Sequence, residues 1–189
     1  MRVTVFDKNP GPGFGQWLLK TFWLLGCWFQ KQVGWVDDYY GATSWDDAQQ
    51  WLLSRPDFLN SVQYWGHGSQ GVAWLASKPM PLWTLSNLKK RLAGPSAVVW
   101  FRCCSMFQGP KGKLFAQQAL AQLGCRVVAH TYVIGLWQSG GRSVSPSKPV
   151  PSWSDIEGTD LPAPWWPDYL RPWAPNTVFC MKTLVPPEW

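Results

Sequence analysis

The sequence predicts an α/β fold, a three-layer sandwich with a mostly parallel central sheet. Three observations carry this. Short β-branched or aromatic runs alternate with longer segments of helical pattern, as in βαβ crossovers that lay helices on both faces of a sheet. The run "AVVWF" at residues 97 to 101 is apolar without a break, like strands buried on both faces. The 189 residues suffice for one domain with a sizeable core and are too few for two ordinary ones.

Taken in order, "RVTVF" at 2 to 6 alternates and is β-branched, a first strand running into the turn-rich "DKNPGPGFG". Residues 14 to 31 are apolar nearly all round, which predicts a buried helix. "VGWVDDYYG" at 33 to 41 reads as a second strand, and "SWDDAQQWLLSR" as a helix with Ser44 as N-cap and acidic residues in its first turn. "SVQYW" is a third strand that ends in the glycine-bracketed "GHGSQG", and "GVAWLA" is a short hairpin strand after it. "LSNLKKRLAG" is an amphipathic helix stopped by Gly94, and "GKLFAQQALAQLG" follows "AVVWF" as a helix stopped by a glycine. "RVVAHTYVI" is the next apolar strand. From Ser145 onward proline is frequent and periodicity vanishes, so the chain divides into an α/β domain over 1–145 and a Pro/Trp-rich extension over 146–189 that wraps the domain or meets a partner.

Composition narrows the chemistry. Five cysteines, Cys27, Cys103, Cys104, Cys125 and Cys180, form an odd set with no CxxC pair, which argues against a disulfide framework and a zinc site and for reduced thiols. The opening "MRVTVFDKN" lacks the features of a secretory signal, so a cytoplasmic protein is expected. "QWLLKTFWLLGCWFQK" is interrupted by Lys20 and falls short of the ~20 apolar residues of a membrane span, which leaves a buried or interfacial helix. The formal charge is +6, and no acidic residue lies between Asp57 and Asp155, where ten lysines and arginines do. That field attracts anions and rules out a paired-carboxylate hydrolase built from this half. "GPKGKL" misses the spacing of a phosphate-binding loop, with Leu114 where a hydroxyl would hold magnesium.

In open α/β sheets functional groups gather at the carboxyl ends of strands. His67 follows "SVQYW" and Cys104 follows "AVVWF", so neighbouring strands would bring an imidazole and a thiol to one edge. Such a pair is a Cys–His dyad, the imidazole taking the thiol proton and the thiolate attacking a carbonyl carbon. Strand alternation turns Cys103 to the core and Cys104 to the edge. Backbone N–H groups around Gly68 and after the cysteine, at Ser105, are candidate donors to the oxyanion. With no carboxylate between Asp57 and Asp155, the group that orients His67 is a backbone carbonyl or one of Asp7, Asp37 and Asp38. His130 in "VVAHTY" reads as a satisfied histidine of a buried strand, its rival being a papain-like order of cysteine before histidine.

The succession "WGHGSQG", then "VVWFRCCSMFQGPKGKLFAQQALAQLGCRVVAHT", over roughly residues 60 to 140, resembles the caspase-like cysteine peptidases of clan CD. The resemblance implies a caspase-like fold, a cysteine endopeptidase acting on a protein or peptide, and no metal or organic cofactor. Counting back from Gly112 and Phe115 it favours Cys104 over Cys103 as nucleophile. It also implies that substrate lies antiparallel to "GLWQSGGRS", with Trp137, Gln138 and Ser139 as wall and backbone partners. Arg142 would favour an acidic residue before the cut and Asp7 a basic one. Two other classes compete: a catalytically inactive module of the same fold that binds partners through residues 146–189, and an anion or nucleic-acid binder using the basic middle and the tryptophans. Nucleic acid ranks below peptide, because most indoles sit in apolar runs.

Overall fold

A six-stranded sheet forms the middle of the computed structural model, which describes residues 1–159 and 173–189. In chain order the elements are β1 (Arg2–Asp7), α1 (Phe14–Gln32), β2 (Asp38–Ala42), α2 (Trp45–Leu53), β3 (Ser61–Trp65), β4 (His67–Ser69), β5 (Val72–Leu75) and β6 (Lys78–Pro79). There follow α3 (Trp83–Lys89), β7 (Val98–Arg102), α4 (Gly109–Leu123), β8 (Arg126–His130), β9 (Trp137–Gln138), β10 (Gly141–Val144) and β11 (Val178–Phe179).

The large sheet runs β10-β8-β7-β3-β1-β2, parallel except for the edge strand β10. The expected mostly parallel sheet is therefore present. Because successive side chains point to opposite faces, Val3, Val5, Val62, Tyr64, Val99 and Phe101 meet α2, α3 and α4 in the main core. The intervening residues face α1 and the C-terminal segment, where Phe6 and Trp65 pack with Cys27, and Trp100 and Val128 with Val178 and Trp189. Helices on one side, and a helix plus chain terminus on the other, complete three layers.

Local rules place most elements. Ser44 caps α2, its hydroxyl accepting the Asp47 N–H at 3.1 Å. Gly124 ends α4 in the left-handed region at φ 67°. Other elements differ from expectation for identifiable reasons. Helix α3 stops at Lys89 rather than Gly94, because residues 91 to 93 turn to pair with Leu59 (Leu59 N–H to Arg91 O 2.7 Å, Ala93 N–H to Leu59 O 2.9 Å). Strand β2 starts at Asp38 rather than near Val33, since Gly34 at φ 72° turns the chain out of α1 first. The glycine loop at His67 is itself the first strand of a small antiparallel sheet, β4-β5-β6.

Helix α1 departs furthest. Expected to be buried or interfacial, it buries only Gly26, Cys27 and Gln30. The extension lies on the domain where it is described: Trp153 stacks on Phe107 at 5.2 Å and donates to its carbonyl at 2.8 Å, and Trp189 meets Trp100 edge-on at 5.8 Å. Residues 160–172, the middle of that extension, lie outside the described residues. None of the helices described is long and apolar enough to cross a membrane.

Candidate active site

Strands β3 and β7 are parallel neighbours with Trp65 opposite Arg102, so the chain leaves both at the same sheet edge. Two residues beyond each stand His67 and Cys104. Both line one cavity of about 720 Å³. Its walls are mostly apolar: Leu18, Phe22 and Leu25 from α1 on one side, Ile134, Leu136 and Met181 on the other.

The adjacent cysteines part as strand alternation requires. Cys103 is fully buried among the main core, while Cys104 is half-buried at the cavity. Burial pushes the Cys103 thiol well up. Burial also raises Cys104, opposed by the backbone N–H groups of Ile134 and of Cys104 itself, which face its sulfur. The resting Cys104 is thus a thiol, and it points to the Ile134 carbonyl at 3.7 Å. A base is needed to ionise it.

His67 is held by α1. Its Nε2 lies 2.8 Å from the Gln16 Oε1, and Trp23 meets its ring edge-on at 5.6 Å. With the Gln16 oxygen as acceptor, the neutral ring carries its proton on Nε2 and its lone pair on Nδ1. Burial lowers the His67 pKa, partly opposed by the charge of Asp7. The imidazole is therefore neutral at physiological pH, the form a general base requires.

Gln16, rather than a carboxylate or backbone carbonyl, is the group bonded to His67. Asp37 pairs with Arg2, and Asp38 with Lys31 and Arg55. Asp7 is buried and accepts the N–H groups of Asn9 at 2.8 Å and Ala76 at 3.1 Å, with its pKa raised by burial. It does not line the cavity, so its expected role as a pocket for a basic side chain is not met. Arg142 likewise turns away: Glu157 of the C-terminal extension accepts its Nε–H at 2.9 Å and pairs with its other nitrogen. Neither ion lines the cavity.

The backbone donors also differ from expectation. The Ser105 N–H is engaged with the Tyr132 carbonyl at 2.8 Å, and Ser105 itself sits at φ 52°. Gly68 has another duty: a Cβ there would lie 2.5 Å from the Cys103 Cβ and 2.8 Å from the Cys104 carbonyl oxygen. Only hydrogen fits where the histidine loop presses on the cysteine loop.

The edge expected to receive substrate is occupied by the chain itself. Strand β11 pairs antiparallel with β9, Val178 opposite Gln138 and Phe179 opposite Trp137, whose rings meet at 5.5 Å. Gln138 accepts from Arg102 Nε at 2.7 Å, and Ser139 offers its carbonyl to His130 Nδ1 at 2.9 Å and its hydroxyl to Thr177 at 2.9 Å. Arg102, stacked between Trp65 and Trp100, anchors this segment through the Lys182 and Cys180 carbonyls at 2.9 and 2.6 Å. Burial lowers its pKa to about 9.

His130 is a satisfied core histidine. Its Nδ1–H donates to Ser139 and its Nε2 accepts from Trp100 Nε1 at 3.1 Å, while burial brings its pKa down to about 3. Five of the ten basic side chains of the middle are engaged by distant parts of the chain: Arg102 and Arg142 as above, Arg126 on the Pro186 and Trp189 carbonyls, Arg91 on the Arg55 and Asp57 carbonyls, and Lys113 on Asp155. The described residues contain no cluster of metal-ligating side chains.

Sequence reading missed Gln16, Trp23 and Ile134. The first two carried a signal: Gln16, Trp23 and Gln30 recur every seven residues, one stripe of a helix, and that stripe is the inward one. No family model, curated protein or solved structure matches the chain.

Proposed function

We propose that the chain is a cysteine endopeptidase of caspase-like fold, with Cys104 as nucleophile and His67 as general base and acid. The observation that supports it is the opening of both side chains, from the ends of adjacent parallel strands, into one cavity. His67 Nδ1 takes the Cys104 proton and the sulfur attacks the peptide carbonyl carbon. The tetrahedral intermediate collapses as His67 returns that proton to the leaving amine. Water, deprotonated by His67, then attacks the thioester carbonyl, the C–S bond breaks to release the acid, and the Cys104 thiolate takes back the proton from His67. The oxyanion donors beside the sulfur are the Cys104 and Ile134 N–H groups. The apolar wall fits an apolar side chain next to the scissile bond.

The seating of β11 on β9 favours a second reading, an inactive module of the same fold with its edge permanently filled. Turnover separates the two. Fluorogenic peptides with a large apolar residue before the cut are expected to be hydrolysed, and Cys104→Ala or His67→Ala to lower kcat/KM about a hundred- to ten-thousandfold. No hydrolysis by the folded wild-type chain across an unbiased peptide library would reject the peptidase.

A further inference from the structure

Helix α1 is built inside out. Its inward stripe holds the amides Gln16 and Gln30, while its outer face is apolar and open to solvent: Phe14 is 76% exposed, Trp17 58%, Phe22 55%, Leu25 54% and Trp28 50%. At 100° per residue these positions fall within one side of the helix, with Leu18 and Phe29 between them. Trp35, also exposed, continues the surface past the helix end. A contiguous apolar patch of this kind marks a docking surface.

Charge indicates what docks. Between Asp7 and Asp37 the chain carries no acidic residue but has Lys8, Lys20 and Lys31. Those three lysines line one cleft of about 490 Å³ along the flank of α1, together with Leu24, Tyr39 and Tyr40. The acid in that cleft, Asp38, is matched by Lys31 at 2.6 Å and Arg55 at 2.9 Å. Lys8 and Lys20 are not ion-paired among the described residues. An apolar helix face bearing Trp, Phe and Leu, bordered by surplus ammonium groups, has the form of a helix lying in the plane of a bilayer interface. Trp17, Trp28 and Trp35 suit the headgroup level, where amphipathic rings collect.

We propose that α1 docks the protein on an anionic membrane surface, its outer face entering the acyl boundary and the Lys8–Lys20–Lys31 cleft facing the phosphates. A second copy of the chain or an apolar protein partner would also cover the face, but neither accounts for the lysine cleft beside it. This inference does not rest on the peptidase reading, since vesicle binding is measured without turnover. Leu18, Phe22 and Leu25 belong both to this face and to the cavity wall, so docking sets the cavity mouth at the lipid boundary.

The test is flotation of the full chain with vesicles of phosphatidylcholine alone and of phosphatidylcholine mixed with phosphatidylserine. Binding to the mixed vesicles is expected, falling as salt is raised. Leu18→Gln/Leu25→Gln should weaken it at least about tenfold, and Lys20→Gln roughly fivefold. Both changes lie on the surface, and circular dichroism verifies the fold. Failure of the folded wild-type chain to bind mixed vesicles at low salt, or binding indifferent to Leu18→Gln/Leu25→Gln, overturns the proposal. Equal binding to phosphatidylcholine alone overturns the anionic assignment. A dimer seen by light scattering and abolished by the same pair would give the face to a second copy and overturn it as well.

Discussion

Towards α2, α3 and α4 the sheet presents Val3, Val5, Val62, Val99, Phe101 and Val127, while on its other face the same strands present Gln63, Trp100, Arg102 and His130. The first face is closed by side chains that need only contact. The second combines apolar contacts of Phe6, Trp65, Trp100 and Val128 with hydrogen bonds: Arg102 to Gln63, Gln138 and two carbonyls of the C-terminal segment, Trp100 to His130, His130 to Ser139. Apolar packing tolerates approximate fits, whereas a buried polar group left without a partner costs about 1–3 kcal/mol. Arg102 holds the C-terminal segment against the second face through the Lys182 and Cys180 carbonyls, and the cavity with Cys104 and His67 opens beside it.

The largest effect that would break this contrast is pH-driven. The folded His130 is held neutral with a pKa of about 3, below its ordinary 6.5. Between those values the unfolded chain binds more protons, so the neutral-state stability is present above 6.5 and is lost as pH falls towards 3. Denaturant unfolding should show stability falling by roughly 1 kcal/mol per pH unit through that window. His67, shifted the same way by burial, adds to the slope. A His130→Gln protein should lose most of it, and an unchanged slope there would break the account of the polar face.

Next in size is Gly68→Ala. Its Cβ meets the Cys103 Cβ and the Cys104 carbonyl, so an expected cost of about 1–3 kcal/mol in urea unfolding should be accompanied by loss of Cys104 reactivity. The paired cysteines sharpen the contrast further. Cys103→Ser places a hydroxyl in a dry core and should cost about 1–3 kcal/mol, whereas Cys104→Ser at the half-buried cavity should cost under about 1 kcal/mol. Smallest in stability is Gln16→Leu, which removes the hydrogen bond to His67 from a partly buried position. It should slow Cys104 alkylation about tenfold by misplacing the ring. Gln16→Glu keeps an acceptor for Nε2–H and should restore most of the rate.

How far the sequence reveals this molecule depends on which face a residue serves. The strand at Val98–Arg102 is legible because the unbroken apolar run of residues 97 to 101 means double-sided burial, the strand at Ser61–Trp65 because it runs into a glycine-rich turn, and the caps at Ser44 and Gly124 follow from backbone geometry alone. Helix α1 misleads for the same reason. Apolar residues all round predict burial, but the fold supplies a neighbour for one side only, and periodicity cannot reveal a missing neighbour. At the candidate site the order of His67 and Cys104 along parallel strands places both on one cavity. Asp7, Arg142 and Ser105 went elsewhere, because each found a nearer partner in Ala76, Glu157 or Tyr132 that only tertiary structure brings within reach. The pairing of β11 with β9 joins residues forty apart through two-residue strands, too short to carry a pattern.

The central claim is that Cys104 and His67 act as one chemical unit while Cys103 belongs to the core. A peptidyl electrophile with an apolar side chain, reacted with the folded wild-type and His67→Gln proteins and mapped by mass spectrometry, tests it most directly. Label is expected on Cys104 and not on Cys103, with the rate falling about a hundredfold or more in His67→Gln. Label on Cys103, or a Cys104 rate indifferent to His67, would contradict it.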